Sequence, residues 1–188
     1  MSTAWSQYTC VLAFFFHGLK KLGYDFNPEI IARFLDIYVP NGVDNPYDFK
    51  VTDDENLLGI SSKNAQNQIN NFFRDSQISK IGFRYIPLNI IPFQMYDEVL
   101  MEAIQNKLII GFGYNYARFK NPKDNSIIKH VSFVNSFEND EVEILDYFID
   151  KSGQQWTAKY NKFISSILDV NDGFWILGDI KKINFQLV

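Results

Sequence analysis

Helical periodicity fills the first half of this chain and two-residue alternation fills the second, and that order limits the fold more than any other feature. Apolar positions recur at three- and four-residue spacing at Ile30, Ile31, Phe34, Leu35 and Tyr38, and again at Ala65, Ile69, Phe72 and Phe73. Such stripes predict helices over 28–38 and from Ser61 or Ser62 to about Asp75. Asn27 is placed to cap the first of these, with Pro28 at its first position. Before them, a polar run gives way at Cys10 to an apolar helix that Gly23 is placed to stop. A short strand over 83–88, a helix over 96–106 and an apolar strand over 108–116 follow. Residues 130–137 and 141–148 alternate around Glu138-Asn139-Asp140 and predict an antiparallel hairpin. Strands over 154–160, 174–177 and 180–187, with a helical piece over 161–168, complete an α+β pattern. No repeat or linker interrupts it, so one domain over 1–188 is expected.

Composition narrows the classes. The 188 residues suffice for one well-cored domain, and 46% hydrophobic with 21% charged residues is ordinary for a globule. Eighteen Phe, ten Tyr and three Trp are read first as core. A net charge of −4 without a Lys/Arg cluster argues against nucleic acid. No apolar stretch is long enough to span a bilayer and no signal peptide is visible, so a cytoplasmic protein without membrane association is expected. The acidic, turn-rich segment 40–59 is long for a compact domain and reads as a binding loop, a lid or a solvated stretch. One Cys and two distant His give no zinc spacing, and Gly111-Phe112-Gly113 lacks the third glycine of a dinucleotide loop. No cofactor is therefore expected.

The chemistry points to Cys10, the only cysteine. A thiol in the first turn of a helix sits in the positive end of the helix dipole, which favours the thiolate. The plain alternative is a small buried hydrophobe. A thiol nucleophile needs a base, and only His17 and His130 are available. His17 lies seven residues along the same helix, about 10 Å from Cys10, too far for a base. His130 begins the predicted hairpin. With the turn centred on Asn139, Asp146 becomes its diagonal neighbour, about 7–8 Å away between backbones. A carboxylate there holds the imidazole by its second nitrogen. Asp150 takes that place if the register differs by two pairs. Gln7, three residues before Cys10, could add a side-chain amide to the Cys10 backbone N–H as an oxyanion donor. Tyr114, Asn115 and Trp175 read as core residues or pocket lining.

Gln7-x-x-Cys10 opening a helix, the strand start His130-Val131-Ser132-Phe133-Val134, and Val142-Glu143-Ile144-Leu145-Asp146 together resemble the papain-like cysteine enzymes. Within that fold the resemblance is to the double-glycine leader peptidases and their non-peptidase relatives, over residues 7–148. Those relatives include acyltransferases and amide-forming enzymes of natural-product assembly that draw acyl groups from carrier proteins. The resemblance implies Cys10 as nucleophile, His130 as base, Asp146 as orienter and Gln7 as oxyanion residue. It implies an acyl-thioester or peptide substrate, with a carrier protein as a candidate partner. Four positions depart from the peptidase pattern: Thr9-Cys10-Val11 replaces Asp-Cys-Gly, Lys129 replaces a Gly, and Tyr147 replaces a Pro. These departures shift the expectation from leader hydrolysis towards transfer of the acyl group to an amine. A cytosolic peptidase or amidase, and a papain-like domain used only for binding, are the alternatives.

Overall fold

The computed structural model describes residues 10–42, 50–54, 57, 59–147 and 154–184, with the side chains of 62 and 63 excepted. The chain divides into two compact units, residues 1–78 with 147–153, and residues 79–146 with 154–188.

The first unit is mainly helical. Helix α1 (Cys10–Lys21) buries Val11 through Phe15 without interruption, together with Gly18 and Leu19. A helix apolar on nearly every side belongs in an interior. It stops where expected: Gly23 takes a φ of +88°, and the Tyr24 N–H reaches back to the Leu19 carbonyl at 2.9 Å. The side chain of Asn27 caps helix α2 (Pro28–Leu35), accepting from the Glu29 N–H at 2.9 Å. This helix is shorter than its apolar stripe predicts. Asp36 turns left-handed at φ 53°, and Pro40 disfavours helical geometry at Val39, so Tyr38 does not continue the stripe. Instead Tyr38–Pro40 forms strand β1, paired in parallel with β2 (Lys50–Thr52). The segment 40–59, read as a binding loop, a lid or a solvated stretch, therefore contains a strand. Helix α3 (Ser62–Asp75) starts at the Ser61 cap and places Ala65, Ile69, Phe72 and Phe73 inward, as its pattern requires. Helix α2 packs against both α1 and α3.

The second unit is a six-stranded antiparallel sheet in the order β3-β8-β4-β5-β6-β7. Its members are β3 (Ile81–Pro87), β4 (Ile109–Asn115), β5 (Lys129–Glu138), β6 (Glu141–Asp146), β7 (Gln154–Lys159) and β8 (Gly173–Asp179). Strands β4 to β7 follow one another as expected, whereas β8 enters between β3 and β4. Residues 180–184, expected to begin a further strand, form a turn; residues 185–187 lie outside the described residues. Helix α4 (Tyr96–Gln105) precedes β4, α5 (Tyr116–Lys120) follows it, and α6 (Tyr160–Leu168) precedes β8. Helices α4 and α6 cover one face of the sheet, and their Val99, Leu100, Phe163 and Ile167 share a core with Ile110, Phe112, Val134 and Ile144. Among the described residues no helix is long and apolar enough to cross a membrane.

The hairpin of β5 and β6 departs from the simplest expectation in an instructive way. Its turn is centred between Asn139 and Asp140, both left-handed at φ 52° and 61°, which is the geometry of a two-residue hairpin turn. Near the turn Glu138 pairs with Glu141, Phe137 with Val142 and Ser136 with Glu143. Beyond it Val134 pairs with Ile144 and Phe133 with Leu145, so Asn135 is an extra residue in a β-bulge. Had the turn register continued, Asp146 would fall opposite Phe133 and on the wrong face for His130. The bulge restores the register that a turn centred on Asn139 would have produced. Asn135 and Ser136 both donate to the carboxylate of Glu143, the latter at 3.2 Å, and Gln155 donates to it from β7.

Candidate active site

One step beyond the Phe133–Leu145 pair, Asp146 lies opposite Ser132, with His130 two residues along on the same face. His130 Nε2 donates to Asp146 Oδ1 at 2.8 Å, and Ser132 Oγ donates to the same oxygen at 3.2 Å. Asp146 is 4% exposed. A carboxylate only accepts, so the imidazole carries its hydrogen on Nε2 when neutral and keeps its lone pair on Nδ1. That is the tautomer in which Nδ1 can act as a base.

Aromatic rings fix the imidazole plane. Tyr114 pairs with His130 across β4 and β5, and its ring meets the imidazole edge-on with centroids 5.7 Å apart. Tyr116, at the start of α5, does the same at 5.3 Å. The Tyr114 hydroxyl lies 3.1 Å from Ser132 Oγ. Lys120 sets its ammonium 3.5 Å from the centre of the Trp156 ring, a cation–π contact on the same side of the sheet. Burial lowers the Lys120 pKa, opposed by the Asp146 carboxylate, while burial and then Asp146 raise that of Tyr116.

Asn115 is a brace rather than pocket lining. It is 3% exposed, accepts from Ile128 N–H at 3.2 Å and donates to the Ser126 carbonyl at 3.1 Å. These bonds tie down the return of the chain to His130. Trp175 is fully buried, with its indole N–H 3.3 Å from Asp172 Oδ1.

Cys10 opens α1 in the first unit and is partly exposed. His17, on the same helix, stacks on Tyr147 with ring centroids 4.8 Å apart. His130 and Asp146 belong to the second unit. Gln7, Thr9 and the alternative orienter Asp150 lie outside the described residues.

Sequence reading named His130 and Asp146 but passed over the polar work of Tyr114 and Ser132 and the placement of Tyr116, Lys120 and Trp156. The signal for Ser132 was available, since a residue two after His130 shares its face. The others needed strand pairing.

The register makes a sharp prediction. Deleting Asn135 closes the ladder with every other pair retained, so the His130–Asp146 hydrogen bond should survive. Deleting Leu145 instead moves Asp146 opposite Phe133 and should abolish it. The His130 Nε2 proton signal in NMR reads the difference directly.

No family model matches the chain, and no curated protein matches it. Among solved structures it is similar to the crystal structure of a Bacillus anthracis protein assigned as a C39-like peptidase. The likeness has a TM-score of 0.56 at 15% sequence identity and covers 89% of this chain and 87% of that one. The likeness is one of fold, an α+β arrangement with a six-stranded antiparallel sheet. A C39-like peptidase fold agrees with the α+β order read from the sequence and, at the level of fold, with the peptidase side of the resemblance.

Proposed function

We propose that this protein is a cysteine-dependent enzyme of papain-like arrangement that forms an acyl-thioester on Cys10. The observation that supports it best is the His130 Nε2–Asp146 Oδ1 hydrogen bond of 2.8 Å, which leaves the basic lone pair on Nδ1. In this reading His130 Nδ1 takes the Cys10 proton and the thiolate attacks the carbonyl carbon of an amide or thioester. The carbonyl electron pair moves to oxygen, where the Cys10 N–H and the Gln7 amide stabilise it. Collapse expels the amine or thiol, which takes the proton back from His130. The acyl group then passes to an acceptor that His130 deprotonates in turn.

Two acceptors divide the reading. The departures at Thr9, Val11, Lys129 and Tyr147 favour an amine, which gives amide-bond formation from carrier-bound or other thioesters. The likeness to a C39-like peptidase favours water, which gives a peptidase or amidase. Intact-protein mass spectrometry with acyl-thioesters and with peptide amides tests both. A mass increase of one acyl group is expected on the native protein and none on Cys10→Ala. Product analysis with an added amine then shows an amide or a free acid. A fully active Cys10→Ala would sink both forms.

A further inference from the structure

Asp146 does not meet His130 alone. Its Oδ1 also accepts from the Ser132 hydroxyl at 3.2 Å, and Ser132 Oγ lies 3.1 Å from the Tyr114 hydroxyl. Ser132 is 1% exposed and Tyr114 is fully buried. Because the Ser132 hydrogen is directed at the carboxylate, the hydrogen between the two hydroxyls must come from Tyr114. The three strands β4, β5 and β6 thus carry one directed chain, Tyr114 to Ser132 to Asp146, ending on the oxygen that holds His130.

We infer that Tyr114 and Ser132 are positioning residues that set the orientation and the electron density of Asp146 and so tune the imidazole of His130. The importance of that imidazole rests on the enzymatic reading above; the relay itself rests on these contacts. A hydroxyl donating to Oδ1 draws charge from it and weakens its hold on the imidazolium. Hydrogen bonds in a chain polarise one another, so Tyr114 strengthens the donation from Ser132. Such a device keeps the imidazole oriented without making it so basic that it stays protonated. Tyr116 and Lys120 of α5 also face Asp146, with Lys162 of α6 beside Lys120. All three remain in place when only the hydroxyls are removed.

The test is the titration of His130 followed by imidazole NMR in the 188-residue chain, which has just one other histidine to assign. Ser132→Ala should raise the His130 pKa by about half a unit or more, the worth of one lost hydrogen bond. Tyr114→Phe should raise it by less. Thermal melts confirm that each variant folds. If the alanine variant does not fold, the isosteric pair Ser132→Thr and Ser132→Val carries the comparison, with the shift expected only for valine. Unchanged titration in folded variants overturns the relay, as does a shift for Tyr114→Phe as large as that for Ser132→Ala. The titration requires no reaction at Cys10, so an inert Cys10 would remove the enzymatic reading and leave this result standing.

Discussion

Asp146→Ala should slow acylation of Cys10 by about 100- to 10,000-fold, whereas Asp146→Asn should keep most of the rate. The asymmetry follows from what Oδ1 does. It accepts from His130 Nε2 at 2.8 Å and from Ser132 Oγ at 3.2 Å, and Asp146 itself is only 4% exposed. An amide oxygen at the same place accepts both bonds and holds the same tautomer. Alanine accepts neither, so the half-buried imidazole loses its anchor and the buried Ser132 hydroxyl loses its acceptor, the latter at a cost of about 1–3 kcal/mol. Single-turnover rates on the two variants, with melting temperatures alongside, separate the loss of orientation from loss of fold. Equal, large losses for both substitutions would mean that the carboxylate charge, rather than its geometry, is what His130 needs.

Gly173→Ala should be the most destabilising small substitution, by at least about 3 kcal/mol. Gly173 pairs with Pro87 at the end of the β3–β8 ladder. A Cβ there would collide with the Ile86 carbonyl oxygen and lie 2.6 Å from Pro87 Cα, both backbone atoms. Neither can turn aside, so the ladder must open, beside the 3.2 Å bond from Leu88 N–H to the Asp172 carbonyl. A fall in melting temperature of about 6–12 °C corresponds to such a loss in a chain of this size. Gly113→Ala should cost less, because its Cβ meets the side chain of Asp172 rather than backbone. That carboxylate can move, though it then gives up the Gly173 N–H at 2.8 Å and the Trp175 indole. Gly23→Ala should cost least, about 1 kcal/mol: its Cβ meets nothing within 4 Å, and only the φ of +88° opposes it. Thermal melts of the three variants should fall in that order, and a milder effect at Gly173 than at Gly113 would contradict the account.

How much of this was legible beforehand depends on the range of the interaction concerned. Caps and stops at Gly23, Asn27 and Ser61 are local and could be read from residue type. The early end of α2 was also written locally, in Pro40 acting on Val39, but the apolar stripe running on to Tyr38 outweighed it. The bulge had a signature too. Val134 and Phe137 are three residues apart, so both can face the core only if an extra residue breaks the two-residue period. Placing the turn at Asn139 gave the right partner for His130 while leaving that extra residue unnoticed. The insertion of β8 between β3 and β4 had no local signal, because it is decided by which edge best covers the buried face. For the same reason Tyr114 looked like any core aromatic until its pairing with His130 was known.

The central claim is that His130 activates Cys10, and the rate of Cys10 alkylation by iodoacetamide near neutral pH tests it most directly. The chain contains one thiol, so the mass of the intact protein reports that reaction alone. The account predicts fast labelling of the native protein and a loss of about tenfold or more in His130→Ala, with both proteins folded. Labelling at the pace of an ordinary free thiol, unchanged by His130→Ala, would contradict it.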